Sequence, residues 1–152
     1  GIRVSEGEPC GDLTVNSSDL KATVVTKKEI PSLIDEIPVL MVAAAVASGS
    51  TVFDGVEELR VKETDRILSM TENLKRMGVP IEIKRTARSE KVIIHGQNTL
   101  KGASVQSFSD HRTAMSMVVA GLKATGHTSI DDIRCINKSF PQFIDLIRKI
   151  VA

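Results

Sequence analysis

Four short charged runs hold most of the chemical potential of this sequence: Asp35-Glu36, Lys62-Glu63-Thr64-Asp65-Arg66, Asp110-His111-Arg112 and Lys138-Ser139. Each stands at the start of a stretch with helical apolar spacing. A helix start presents unpaired amides and a partial positive charge, so it receives phosphate or carboxylate well. Lys62, Arg66, Arg112 and Lys138 at such ends predict an anion site stronger than any single helix end. Arginine is suited to gripping phosphate or carboxylate at two points at once. Glu63 and Arg66 are three residues apart and are expected on one face of a helix. An acid close to cations stays ionised near neutral pH, and it relays protons once those cations turn to substrate.

Each run also has a plainer explanation. Seven of the ten residues 57–66 are charged, a density typical of a solvated face. Asp35 and Asp110 are good helix N-caps. His111 alone reads as a packing residue, and Lys138 as a surface lysine. Recurrence at successive helix starts favours the anion site over these separate explanations.

The elements that must position these residues follow from periodicity. Short strands are expected at 1–4, 12–15 and 21–26, separated by Gly, Pro, Asn and Ser turns. A helix over about 35–48 ends at Gly49, and its body has no polar face, which predicts burial on all sides. Pro38 falls in its first turn, where it is tolerated. A strand at 51–56 leads to an amphipathic helix over about 61–77, carrying Ile67, Met70, Leu74 and Met77, followed by strands at 81–84 and 91–95. The order then recurs: strand 103–108, apolar helix 110–125 ending at Gly126, strand 128–133, and amphipathic helix 140–151 carrying Ile144, Ile147 and Val151. Residues 47–56 and 124–133 match in pattern. The division expected is a tail of a preceding repeat at 1–22, a complete βαβαββ repeat at 23–102, and most of a further repeat at 103–152. A chain that starts and stops in mid-repeat reads as a piece of a longer protein.

Bulk properties remove other classes. The 152 residues carry 20 Lys and Arg against 19 Asp and Glu, a balance that gives no broad footprint for nucleic acid or an anionic membrane. With 3% aromatics and no Trp or Tyr, a base-stacking surface is not expected. The longest apolar run, 39–47, is far short of the roughly 20 residues that span a bilayer. Two cysteines, Cys10 and Cys135, build no disulfide framework, and the reading is a cytoplasmic protein. No P-loop, GxGxxG or HExxH pattern provides for nucleotide or metal chemistry.

The wording of the charged runs resembles the enolpyruvyl transferases that form 5-enolpyruvylshikimate 3-phosphate. The resemblance rests on 33–38, 57–66, 110–115 and 137–141, in the family's order and spanning essentially the whole chain. It implies an α/β fold of repeated βαβαββ units, with sheets outside and parallel helices buried inside, of which this chain is a partial domain. It implies transfer of the enolpyruvyl group of phosphoenolpyruvate to the 5-hydroxyl of shikimate 3-phosphate with release of phosphate. No metal or organic cofactor is implied. Asp35 matches the carboxylate that contacts shikimate hydroxyls and carries a proton, and Glu63 the acid that handles the methylene proton. Arg66, Arg112 and Lys138 match the cations holding phosphoenolpyruvate, with His111 beside them. Lys62 matches a lysine on the shikimate-phosphate side, and Glu58 stands where some members have a shikimate-contacting Asn. The family is the glyphosate target, and this wording is closer to its less sensitive bacterial type. The rest of the site is expected in a missing N-terminal domain, so the piece alone is expected to be inactive. Two other readings stay open from the residues: a UDP-N-acetylglucosamine enolpyruvyl transferase, against which the Asp110-His111-Arg112 run argues, and a non-enzymatic anion-binding module.

Overall fold

The computed structural model describes residues 2–3, 10–12, 14–87 and 89–151. Strands β1 (Ile2–Arg3) and β2 (Cys10–Gly11) form an antiparallel pair. The strand expected at 12–15 therefore lies two residues earlier, and the described residues among 12–15 belong to no strand.

Strand β3 (Val24–Val25) leads through helix α1 (Ile30–Leu33) and helix α2 (Ile37–Val46) to β4 (Ser50–Asp54), which lies parallel to β3. A 3₁₀ turn (Glu57–Val61) and helix α3 (Arg66–Arg76) follow, then β5 (Ile81–Arg85) and β6 (Glu90–His95). The four strands form one mixed sheet in the order β3-β4-β6-β5. Two short parallel pairs complete the second half. β7 (Leu100–Lys101) pairs with β9 (Ala124–Thr125), and β8 (Ser104–Val105) pairs with β10 (Ser129–Ile130) across helix α4 (His111–Lys123). A 3₁₀ turn (Arg134–Lys138) precedes helix α5 (Phe143–Val151). The expected α/β architecture of repeated βαβαββ units is thus observed: the β8-α4-β10 crossover repeats β3-α2-β4, with helices packed on the inner side of the sheet.

One apolar core joins these layers. Phe53, Val92 and Ile94 come from the sheet, Met41 and Ala45 from α2, Met70 and Leu74 from α3, and Met117 and Ala120 from α4. Burial of such side chains contributes about 1.5–3 kcal/mol each. The chain just past β6 meets the end of α2 at Gly96, whose N–H donates to the Gly49 carbonyl, while the Gln97 N–H reaches the Ala45 carbonyl at 2.7 Å.

Four expectations change. Helix α2 is not enclosed on every side: Val39 is 40% exposed and borders, with Val42, Ala43, Val46 and Val119, an open hollow of about 580 Å³. No described element covers that flank. Helix α3 begins at Arg66 rather than near 61, because Asp65 adopts an extended backbone and caps it. Helix α4 ends at Lys123, since Ala124 and Thr125 enter β9 instead. Helix α5 starts at Phe143, three residues later than expected, and none of its residues is fully buried.

A Cβ on Gly96 would stand 1.7 Å from the Ala47 carbonyl oxygen, which is backbone and cannot swing aside. Gly96→Ala is therefore expected to cost about 1–3 kcal/mol. The loss is read as a fall in melting temperature, and an unchanged value would show that the strand–helix contact yields freely.

Candidate functional site

The site is built around Arg66, the first residue of α3. The Asp65 carboxylate accepts the Leu68 N–H at 2.9 Å and fixes where the helix begins, which turns the Arg66 side chain inward. That side chain is 2% exposed. Its Nε donates to Asp110 Oδ2 at 3.3 Å, Nη1 to Asp35 Oδ1 at 3.0 Å and Nη2 to Glu63 Oε2 at 2.6 Å. A guanidinium keeps its charge when buried, so it needs such partners.

Arg112, in the first turn of α4, meets the same acid from the other side. Its Nη2 lies 3.1 Å from Asp35 Oδ2, and its Nη1 donates to the Asp35 backbone carbonyl at 2.8 Å and reaches Glu36 Oε1 at 3.5 Å. Asp35 thus bridges two arginines. Burial pushes its carboxyl up, but the Arg66 hydrogen bond and the charges of Arg112, Arg66 and Lys62 outweigh that and hold it below its ordinary value. Asp35 is not a helix cap: α2 has Glu36 at its N-cap, with no side-chain cap bond. Asp110 is a cap, accepting the Arg112 and Thr113 N–H groups, and it is also an Arg66 partner.

The structure brings Asp35, Glu63, Arg66 and Arg112 together, with Lys62 close enough to act on Asp35. Glu63 reaches Arg66 from the loop before α3, not from a shared helical face as its spacing suggested. Lys62 lies in that loop as well, paired with Glu58 at 2.8 Å. His111 opens α4, with Nδ1 3.7 Å from Asp110 Oδ1. Lys138 is exposed and closes a 3₁₀ turn instead of standing at a helix start, and it has no ion pair among the described residues. Beside the arginines, Asp35, Arg112, Met115, Val119 and Phe143 border a shallow hollow of about 180 Å³ with an apolar floor. Among the described residues no group of three or more His, Cys, Asp or Glu could hold a metal ion.

A family model for EPSP synthase (3-phosphoshikimate 1-carboxyvinyltransferase) matches residues 3–147. The chain belongs to the EPSP synthase family. The 3-phosphoshikimate 1-carboxyvinyltransferase of Geobacter sulfurreducens is 48% identical over 150 residues, which are 99% of this chain and 34% of that protein. That of Akkermansia muciniphila is 49% identical over 138 residues, 90% of this chain and 31% of its own length. The solved EPSP synthase of Acinetobacter baumannii superposes with a TM-score of 0.87 at 38% identity, covering 98% of this chain and 34% of that one. The chain therefore spans about a third of the length of these EPSP synthase relatives.

In this member of the EPSP synthase family the loop bearing Lys62 and Glu63 is tied down by residues that the sequence reading did not single out. Arg60 donates through Nε and Nη2 to the Glu90 carboxylate at 2.8 and 2.5 Å, and through Nη1 to Asp65 at 2.6 Å. Glu57 accepts the Glu90 N–H at 2.8 Å, and Leu59 is buried beneath. The α3 cap, and with it Arg66, is thereby anchored to the start of β6. No local pattern announces this, because Arg60 and Glu90 are 30 residues apart.

The Arg60 hydrogen bond, opposed by burial and aided by Arg85, holds the Glu90 carboxyl down to about 2 from its ordinary 4.5. A depressed carboxyl contributes stability that is complete above its unfolded value and is lost as pH falls through the folded one. The stability owed to Glu90 should thus disappear between pH 4.5 and about 2. Glu90→Gln is expected to lower the melting temperature at neutral pH and to flatten its decline over that acid window. Parallel curves for variant and wild type would remove Glu90 from the anchor.

Proposed function

We propose that the protein containing this chain transfers the enolpyruvyl group of phosphoenolpyruvate to the 5-hydroxyl of shikimate 3-phosphate and releases inorganic phosphate. One observation carries the reading: in a member of the EPSP synthase family, Arg66 and Arg112, at the starts of two helices, share the Asp35 carboxylate, and Arg66 also holds Glu63. Two guanidinium groups fit the carboxylate and phosphate of phosphoenolpyruvate, and two acids supply the proton carriers that the addition needs.

In this reading the incoming anion replaces the half-exposed Asp35 and Glu63 side chains on the outer edges of the arginines. The freed Asp35 takes the proton from the 5-hydroxyl as that oxygen bonds to the enol carbon. Glu63 delivers a proton to the methylene carbon, giving a tetrahedral adduct with a methyl group. Glu63 then takes back one methyl proton, re-forming the double bond as the C–O bond to phosphate breaks, and Asp35 gives its proton to the departing phosphate. Lys62, oriented by Glu58, faces the shikimate phosphate, and Lys138, without an ion pair among the described residues, supplies an outer cation for phosphoenolpyruvate with His111 beside it. The remaining contacts belong to an N-terminal domain, and enclosure between the two halves excludes water. We divide the chain at 22 and 102 into repeat tail, complete repeat and partial repeat, as the element order supports. We place the protein in the cytoplasm; no described helix is long and apolar enough to cross a membrane.

The test uses the full-length protein. Phosphate release is expected only when both substrates are present, and Glu63→Gln should lower kcat by roughly 10²–10⁴-fold. Glu63 itself is half exposed, and Asp35 and Asp110 remain on the buried Arg66, so stability should fall by less than about 1 kcal/mol. No release from the wild-type protein overturns the reading, and a kcat within a few-fold of wild type removes Glu63 as a proton carrier. The 152-residue chain alone should release no phosphate, yet inorganic phosphate should shift amide resonances near Arg66 and Arg112, with the effect fading as salt rises. Shifts confined to other surfaces count against the anion site.

A further inference from the structure

We propose that Asp110 is the positioning residue that fixes both arginines of the site, acting on Arg66 through its side chain and on Arg112 through its backbone. This deepens the enolpyruvyl transfer reading and rests on it. Among the three carboxylates around Arg66, only Asp110 is shut off from solvent: its side chain is 0% exposed, against 45% for Asp35 and 55% for Glu63. It takes the Nε edge of the guanidinium, the edge that faces the protein interior. Asp35 and Glu63 occupy Nη1 and Nη2, where they can give way to a ligand.

Asp110 is itself held by several donors. Oδ1 accepts the Arg112 N–H at 3.3 Å; Oδ2 accepts the Thr113 N–H at 3.2 Å and the Thr113 hydroxyl at 2.9 Å. Thr113 Oγ1 lies 3.0 Å from Ser69 Oγ, which is 3.3 Å from the Arg66 carbonyl. Thr113 uses its one hydroxyl proton on Asp110, so the single Ser69 proton serves either Thr113 or the Arg66 carbonyl at a time. Arg66, Asp110, Thr113 and Ser69 form one buried polar cluster. It sets the first turn of α3 against the first turn of α4, and so sets the separation of Arg66 from Arg112. The chain enters this position through Phe108 and Ser109, both in the left-handed region at φ 53° and 57°. Consecutive non-glycine residues rarely adopt such angles, and surrounding contacts must hold them there. Here they deliver Asp110 to its place.

Asn, Ser and Asp cap helices about equally well, so substitutions among them separate capping from positioning. Asp110→Ser keeps a cap oxygen but is too short to reach Arg66. Asp110→Asn keeps the shape and loses the charge. In the full-length protein, Asp110→Ser is expected to raise KM for phosphoenolpyruvate by roughly 10–100-fold, the scale of a lost charge-assisted hydrogen bond. Asp110→Asn should recover part of that loss, and KM for shikimate 3-phosphate should move less. The Arg66 Nε–H resonance, assigned by its absence in Arg66→Lys, should be sharp in wild type and shifted or broadened in both variants. A lowered melting temperature with KM and the Arg66 resonance unchanged would leave Asp110 a cap and overturn the proposal. If Asp110→Ser does not fold, Asp110→Asn decides by the same readouts. If wild type shows no phosphate release, the transfer reading fails by itself and the Arg66 resonance still decides the positioning role.

Discussion

The arrangement depends on hiding one permanent charge. Arg66 is the largest fully buried side chain described, placed where α3, α4 and the loop before α2 converge. An unpaired guanidinium there would be prohibitively unfavourable, and it cannot neutralise itself by losing a proton. Compensation must come from carboxylates, and these are supplied by positions 35, 63 and 110, far apart in the chain. The meeting of the helix starts is thus a condition of folding as well as of ligand binding. Breaking it from one side leaves a buried charge without its partner, which is the costly way to disrupt an ion pair.

The same pairing changes the character of the site. Arg66 and Arg112 face four acids, Asp35, Glu36, Glu63 and Asp110, so the resting site is not an open positive funnel. Anion binding becomes an exchange of one set of oxygens for another. The acids that must move are half exposed and gain water when they leave, so the exchange is inexpensive. The acid that must stay is sealed inside. Arg60 and Glu90 extend this order outward, since the loop carrying Glu63 moves on a base fixed to the sheet.

Much of this was legible in the residues. Apolar periodicity located α2, α3, α4 and α5 but not the four-residue α1, and β5 and β6 fell within a residue of their expected bounds. Charged runs at helix starts named the arginines and acids that converge. Boundaries failed where tertiary contacts overrode propensity. Residues 61–65 were expected to open the helix, yet the bonds from Arg60 to Glu90 and Asp65 hold them in another course. Lys138 was read as opening a helix because the apolar pattern resumes at Phe140, but the 3₁₀ turn through Lys138 delays the helix to Phe143. The double duty of Asp110 had only its cap signature in sequence; its bond to Arg66 spans 44 positions and leaves no local trace. The open flank of α2 was hidden for another reason: an all-apolar helix states that it wants cover, not whether these residues supply it.

Helix α5 shows how unevenly the chain is held. Its nine residues carry a strongly amphipathic pattern, but Leu146, Ile150 and Val151 face water and none of its residues is fully buried. A helix this short is marginal in water without packing to support it. Its amides should trade protons with solvent through local fraying, while those of α4, clamped at its start and packed along its length, exchange only through larger openings. The molecule thus grades from a rigid, charge-locked corner at Arg66 to a loosely held rim, with the precision concentrated where two guanidinium planes must keep their spacing.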